Sequence, residues 1–249
     1  MRKISIMNYK GGTGKTSTVV NLAHGLALQG QKVLVIDTDP QGSSGYHLGI
    51  NTDGAVPTLY DLLIQGKSPR ECIVNAREGI DIICSNERLF PAEMALSKEK
   101  DREFRLQHCL ENLTGYDYVL VDCPPSMNLL NQNSLLYAND IYLPVSMEYL
   151  SLVGVKQLLS NIGLINSIFK ANIQVSKVIP TFYDKRNTKS KEIVDSLNRV
   201  FPGLISSPIG VSVAISEAAG VKQTVFEYDA SSKGAQDYLQ LTKEVLSHG

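Results

Sequence analysis

The sequence predicts an α/β fold: a doubly wound, mostly parallel sheet with helices on both faces. Two observations carry this. Short apolar runs alternate with helix-length amphipathic segments along the whole 249-residue chain. The runs are also apolar throughout, where a half-exposed strand would alternate with polar residues. Strands of that kind are buried on both faces, as in a parallel sheet covered by helices on each side. Right-handed crossovers between parallel strands then give the doubly wound arrangement.

The elements follow in order. Residues 2–8 (RKISIMN) read as the first strand, and 15–29 (KTSTVVNLAHGLALQ) as a helix closed by Gly30. A second strand is expected at 32–37 (KVLVID). Residues 42–57 (GSSGYHLGINTDGAVP) carry turn formers without periodicity and read as an exposed loop. Further strands are expected at 79–84, 117–122, 140–145 and 174–180, with helices at 98–113, 127–138, 149–169, 188–200 and 232–247. No repeat, low-complexity tract or Pro/Gly/Ser-rich linker interrupts this pattern, so residues 1–249 are expected to form one domain.

Composition narrows the function classes. Apolar residues make up 43% and charged residues 20%, the balance of a soluble globular protein. A net charge of −1 gives no global attraction to polyanions, so any nucleic-acid contact has to come from a local patch. The apolar runs read as far short of a membrane span, and the N-terminus shows no signal-peptide pattern; the expected location is the cytoplasm. Cys72, Cys84, Cys109 and Cys123 contain no CxxC pair or metal-ligand spacing and are expected to be reduced, mostly buried thiols.

The chemistry starts at MNYKGGTGKTS, residues 7–17, between the first strand and the first helix. Gly11, Gly12 and Gly14 let backbone N–H groups turn inward around a phosphate, and the helix N-terminus adds partial positive charge. Lys15 is placed to reach β- and γ-phosphates, and the Thr16 hydroxyl to ligate Mg²⁺. This is a nucleoside-triphosphate site. It departs from the usual phosphate-loop spelling in two ways: Tyr9 stands where a glycine is usual, and a second lysine, Lys10, lies inside the loop. Two more strand ends supply acids: Asp37 and Asp39 in VLVIDTDPQG, and Asp122 in YVLVDCPPS, which has the form of a Walker B acid. In an open α/β sheet the ligand lies beyond the carboxyl ends of the strands, so these acids converge with Lys15.

KGGTGKTS, DTDPQG and DCPPS resemble the deviant Walker A, switch I and switch II motifs of the ParA/MinD class of P-loop ATPases. The similarity continues through PVSMEYLSLVGVKQLL and ISEAAGVKQTVFEYDASSKGAQDYLQLTKEV, covers nearly the whole chain, and is closest to short chromosomal-type ParA proteins of the Soj kind. The resemblance implies ATP and Mg²⁺ as cofactors and a homodimer that closes face to face around two ATP molecules. It implies that Lys10 reaches the partner's phosphates, as an arginine finger would. It assigns Asp39 to orienting or activating the attacking water, and Asp37 and Asp122, with Thr16, to the magnesium site. The ATP-binding set becomes Lys10, Gly11, Gly12, Thr13, Gly14, Lys15, Thr16 and Ser17, joined by Glu148 near the dimer interface. Adenine contacts are expected around Thr181, Pro208 and Ile209.

The resemblance also implies a slow ATPase, stimulated by a partner, that binds DNA nonspecifically as an ATP dimer and segregates chromosome or plasmid DNA near the nucleoid. The adaptor would be a ParB-like protein; in the alternative, a cargo-linked one, with the ATPase positioning a protein on the nucleoid. YDKRNTKSKE supplies Lys185, Arg186, Lys189 and Lys191 as a DNA-contacting patch, with Asp184 and Glu192 as local counter-charges. Soj-like chains carry two arginines before the ISEA stretch where this one has Val211 and Ala214; Lys222 and Lys233 are the cations left to compensate. A MinD-like, membrane-associated role needs a basic amphipathic C-terminal helix, and that tail has one lysine, Lys243, so no membrane partner is expected.

Overall fold

A computed structural model describes residues 1–54 and 56–247. Its centre is a seven-stranded sheet of β1 (Arg2–Ile6), β2 (Val33–Asp37), β3 (Ile73–Arg77), β4 (Ile80–Ile83), β5 (Tyr118–Asp122), β6 (Asp140–Ser146) and β7 (Gln174–Thr181), in the order β3-β4-β2-β5-β1-β6-β7. All neighbours pair in parallel except β3, which runs antiparallel to β4 at one edge. The two faces carry separate cores. On one face Val121, Leu143 and Val178 pack with Leu135, Leu158 and Leu197 from the helices Leu129–Ala138, Tyr149–Phe169 and Thr188–Val200. On the other, Ile4, Val35 and Leu120 pack with Leu22 of Lys15–Leu28 and Leu241 of Lys233–Ser247.

The register explains why a site forms where it does. Ile6 pairs with Asp122, and Asp122 pairs with Asp37, so the carboxyl ends of β1, β5 and β2 stand in one row. The loop leaving β1 and the acids ending β2 and β5 therefore share one edge of the sheet, where the chain crosses to opposite faces.

Four expectations need correction. The 98–113 segment is no continuous helix: a 3₁₀ turn at Arg102–Phe104 leads into a helix of only Arg105–Cys109. Asp101, in the left-handed region at φ 54°, breaks the run, and its polar neighbours offer no apolar stripe to hold a longer one. Residues 42–57 include a helix, Ser43–His47, while Ala55 within them lies outside the described residues. The edge strand β3 and the short helices Leu59–Leu63, Pro69–Cys72, Ala92–Leu96, Val213–Gly220 and Val225–Asp229 add to the elements read from sequence. Finally, Tyr149–Phe169 is long and apolar enough, by length and composition, to cross a membrane: 21 residues at a hydropathy of 1.3. Its apolar residues are spread among Ser151, Gly154, Ser160 and Asn161, so no single run reveals it. In this fold Val155, Leu158, Ile162 and Ile165 form a stripe at helical spacing that is buried against the sheet.

The C-terminal helix buries Ala235, Tyr238, Leu241 and Val245. It lies so close to Lys15–Leu28 that a Cβ on Gly25 would stand 2.2 Å from the Thr242 hydroxyl oxygen, which itself donates to the Tyr238 carbonyl at 2.8 Å. Gly25→Ala is therefore expected to cost about 1–3 kcal/mol despite the better helix propensity of alanine. Urea unfolding of Gly25→Ala and of the double variant with Thr242→Ala tests this, the second change restoring most of the loss.

Candidate nucleotide-binding site

The loop after β1 is pinned before it turns. The Asn8 side-chain amide donates to the Pro144 carbonyl at 2.7 Å, and its oxygen accepts the Lys10 backbone N–H at 3.0 Å. From the far side, the Thr181 hydroxyl at the end of β7 donates to the Thr13 carbonyl at 2.9 Å. Gly14, at φ 82°, hands the chain into the Lys15 helix. Residues Gly11 to Ser17 line a cleft of about 340 Å³ together with Asp39, Ser43, His47, Pro125 and Phe182.

The two lysines of the loop point different ways. Lys15 is 8% exposed, and its ammonium donates to the Lys10 carbonyl at 3.2 Å, inside the loop. Burial lowers its pKa, with the charge of Asp122 opposing. The Lys10 ammonium instead leaves the loop, pairing with the Glu148 carboxylate and lying 3.4 Å from the Ser151 hydroxyl. Ser151 is fixed in turn by Ser146, 2.9 Å away oxygen to oxygen. Glu148 immediately precedes Tyr149–Phe169, whose first turns expose Tyr149, Leu150 and Val153.

Behind the loop, Asp37 and Asp122 are both buried. Asp37 accepts backbone N–H groups from Asp39 at 3.0 Å and Ser44 at 2.9 Å, and Asp122 accepts the Ser44 hydroxyl at 2.8 Å. The second oxygen of Asp122 is shielded from water and accepts no hydrogen bond of ordinary geometry, with the Thr16 hydroxyl beside the carboxylate. Burial raises Asp37 well above the usual carboxylate range, and the neighbouring Asp122 charge adds to it. Burial raises Asp122 as well, with the Thr16 and Ser44 hydroxyls and the Lys15 charge working in the other direction. Gly42 makes this geometry possible. At φ 63° it turns the chain so that Ser44 reaches both acids, and a Cβ there would meet the Ser85 carbonyl at 2.6 Å.

An orphaned carboxylate oxygen beside a second buried acid calls for a cation. Among the described residues, no group of three His, Cys, Asp or Glu side chains stands close enough to hold a metal alone. The oxygen donors present, the Thr16 hydroxyl and the carboxylates of Asp37, Asp39 and Asp122, fit Mg²⁺, a hard ion that keeps waters and takes phosphate oxygens for its remaining positions.

The structure brings together Gly11, Gly12, Thr13, Gly14, Lys15, Thr16, Ser17 and Asp39. Glu148 lies off the cleft, on Lys10, and Thr181, Pro208 and Ile209 are not among the cleft-lining residues. Ile209 is 3% exposed and belongs to the core, and its backbone N–H and C=O are bonded to Pro180 and Tyr183. Ser43, Ser44, His47, Pro125, Ser151 and Phe182 were not foreseen; Ser43 and Ser44 directly follow the DTDPQG motif, and adjacency alone was their signal. Phe182 is a half-exposed aromatic at φ 52°, an uncommon conformation for a bulky residue, with its ring over Gly14.

The basic patch is real but partly neutralised. Lys185, Arg186, Lys189 and Lys191 lie at or just before the start of Thr188–Val200. Arg186 is held bidentately by Asp184, at 3.0 and 2.9 Å, and those bonds bring the Asp184 pKa to about 2. The Lys189 ammonium sits 5.4 Å from the centre of the Tyr149 ring. Lys222 packs over Tyr46, and Lys233 pairs with Asp237, so each stands in a different local environment from the patch. Of the two positions where cations would be needed, Val211 is exposed and Ala214 is half-buried against the core. The four cysteines are free, and Cys72, Cys84 and Cys123 are buried.

Comparison with known proteins finds a matching family and relatives of similar length. A family profile described as an AAA domain matches residues 1–175. The chain is 35% identical over 253 residues to the chromosome partitioning protein ParA of Caulobacter vibrioides, covering 99% of this chain and 94% of that protein. It is also 35% identical over 249 residues to the sporulation initiation inhibitor protein Soj of Bacillus subtilis, covering 99% and 98%. Among solved structures, cobyrinic acid a,c-diamide synthase from Mycobacterium smegmatis, with a bound ATP analog and magnesium, superposes with a TM-score of 0.86 at 30% identity, covering 100% of this chain and 95% of that one.

Proposed function

The chain belongs to the ParA/MinD family of P-loop ATPases, and we propose that within it the protein is a partitioning ATPase. ATP and Mg²⁺ occupy the cleft, two copies close face to face around two nucleotides, and the closed dimer holds DNA without sequence preference. A partner protein stimulates hydrolysis, which reopens the dimer and releases the DNA. The observation that carries this reading is the divergence of the two lysines. Lys15 is buried in its own loop, whereas Lys10 points away from it, toward the face where Tyr149, Leu150 and Val153 lie exposed. A phosphate lysine turned out of its own site has a use if a second subunit covers that face.

The roles then follow from position. Lys15 trades the Lys10 carbonyl for phosphate oxygens, a stronger, charge-assisted partner. Bound magnesium supplies charge neutralisation at the β- and γ-phosphates. Asp37 and Asp122 gain a counter-charge near their buried carboxylates, and Thr16 offers its hydroxyl there. Asp39, which accepts the Gln41 N–H at 2.9 Å, stands in the cleft wall to orient the attacking water. Lys10, delivered by the partner copy, stabilises charge on the transferred phosphoryl group.

The DNA contact is assigned to Lys185, Arg186, Lys189 and Lys191, and it is a modest one because Asp184 cancels much of Arg186. With ATP, the protein is expected to be retained on a nonspecific DNA column at low salt and eluted by moderate salt; with ADP it passes through. Asp184→Asn frees Arg186 and shifts elution to higher salt, and Arg186→Ala shifts it lower. Equal elution in ATP and ADP contradicts the DNA role. The MinD-like alternative finds little support in the C-terminal helix, since Leu241 and Val245 are fully buried and unavailable to a bilayer. Flotation of the ATP form with anionic liposomes would revive it. DNA segregation and cargo positioning share this chemistry and differ in the adaptor, which a pull-down with the ATP-bound dimer identifies.

A further inference from the structure

We propose that Arg77 is a positioning residue of the nucleotide site, an assignment that rests on the ATPase reading for the identity of the bound ion. From the edge strand β3 it fixes the short helix Ser43–His47, and through Ser44 it holds the buried acids that face magnesium. Arg77 is not among the residues lining the cleft, and its side chain is 19% exposed.

The guanidinium grips several elements at once. Its Nε donates to the Glu227 carboxylate at 2.8 Å and its Nη2 to the Lys222 carbonyl at 3.0 Å. Its Nη1 donates to the Leu48 carbonyl at 2.6 Å and the Ala76 carbonyl at 3.0 Å. A planar, permanently charged fork sets these partners at fixed angles, which the single ammonium of a lysine cannot do. One side of the fork is anchored on the helix that begins at the phosphate loop. The second Glu227 oxygen accepts the Thr224 N–H at 2.7 Å. The Thr224 hydroxyl lies 2.5 Å from His24 Nδ1, and the Val225 N–H donates to the Asn21 side chain at 2.8 Å. Asn21 and His24 both belong to Lys15–Leu28.

The other side holds the helix that supports the acids. Ser43–His47 has five residues, too few to persist alone, and Gly42 gives its start no side-chain cap. Its first turn is fixed by Ser44, whose N–H donates to Asp37 and whose hydroxyl donates to Asp122. Its far end is Leu48, a core residue whose carbonyl takes the charge-assisted Arg77 bond. Ser43 and His47, between those two ends, line the cleft. Arg77 therefore ties the helix carrying Ser44 to the helix carrying Lys15, and so keeps the buried acids in register with the phosphate loop.

Two measurements test this, one without nucleotide. In the apo protein, hydrogen exchange of the Ser44 amide, followed by ¹H–¹⁵N spectra, is expected to quicken about tenfold in Arg77→Gln, the value of one charge-assisted hydrogen bond. An arginine that merely pinned its own edge strand would leave that amide unmoved, and an unchanged rate overturns the proposal. With ADP bound, Mn²⁺ serves as a paramagnetic probe of the magnesium site. Arg77→Gln is expected to weaken Mn²⁺ binding about tenfold, the usual cost of losing a partner that orients the groups around a metal, with metal-free ADP affinity within about a factor of two. Arg77→Lys, which keeps the charge and lacks the fork, behaves like Arg77→Gln. Glu227→Gln, a milder change that leaves the Leu48 bond in place, loses about threefold. Ser44→Ala also weakens Mn²⁺ binding, and adding Arg77→Gln to it produces no further loss, because both act through Ser44. Wild-type Mn²⁺ affinity in Arg77→Gln, or losses that multiply in the double variant, would contradict the assignment. Absent ADP binding in the wild type would refute the ATPase reading and leave the Ser44 measurement standing, so the two failures are distinct.

Discussion

Lys10→Ala leaves ATP binding within about a factor of two and lowers turnover by about a hundredfold or more, the usual cost of removing one preorganised group that stabilises transition-state charge. Lys15→Ala removes binding and turnover together. The two outcomes separate because the lysines have different partners in the free protein. Lys15 sits inside its own phosphate loop, and among the described residues lining the cleft there is no other lysine or arginine. Lys10 is drawn off by Glu148 and Ser151 and gives little to its own site. Nucleotide titration with a fluorescent ATP analogue and steady-state phosphate release test both variants. Equal turnover in Lys10→Ala and wild type removes Lys10 from the mechanism. In the proposed dimer Lys10 has to leave Glu148, so closure and release of this ion pair would be one event.

Asp122→Asn raises the stability of the nucleotide-free protein by about 1 kcal/mol and removes its stabilisation by ATP with Mg²⁺. The buried pair Asp37–Asp122 is costly on its own, because each carboxylate is desolvated and faces a like charge. The asparagine keeps an oxygen for the Ser44 hydroxyl and removes one charge. For a chain of this size about 1 kcal/mol corresponds to roughly 2–4 °C in the melting midpoint. Thermal unfolding with and without nucleotide, and with and without Mg²⁺, checks both halves. Lower apo stability in Asp122→Asn would mean the pair is held by contacts other than those described.

Much of the fold was legible because burial writes itself into composition. β2 (VLVID) and β5 (YVLVD) are buried at every position, and each ends on the acid that the sheet register then sets beside the phosphate loop. β3 escaped notice for the opposite reason. IVNAR is half-polar, lies at an edge, and is paired through a register shift between Asn75 and Arg77. The short helices of four or five residues carry too few turns to show a period. Within the site, the phosphate loop and the strand-end acids were readable as local motifs. The contacts that give them their roles were not: Lys10 to Glu148 spans 138 positions, and Ser44 to Asp122 spans 78. Phe182 took its place over Gly14 through a left-handed backbone that no pattern of apolar residues announces.

The face-to-face dimer is the claim on which Lys10, the DNA contact and the switching role all depend. Sedimentation of Asp39→Ala, which on the proposed reading blocks hydrolysis and prolongs the closed state, tests it most directly. With ATP and Mg²⁺ the variant is expected to run at twice the 27.3 kDa chain mass, and with ADP at the single mass. A single-chain mass in saturating ATP, with nucleotide binding confirmed on the same sample, would contradict the account.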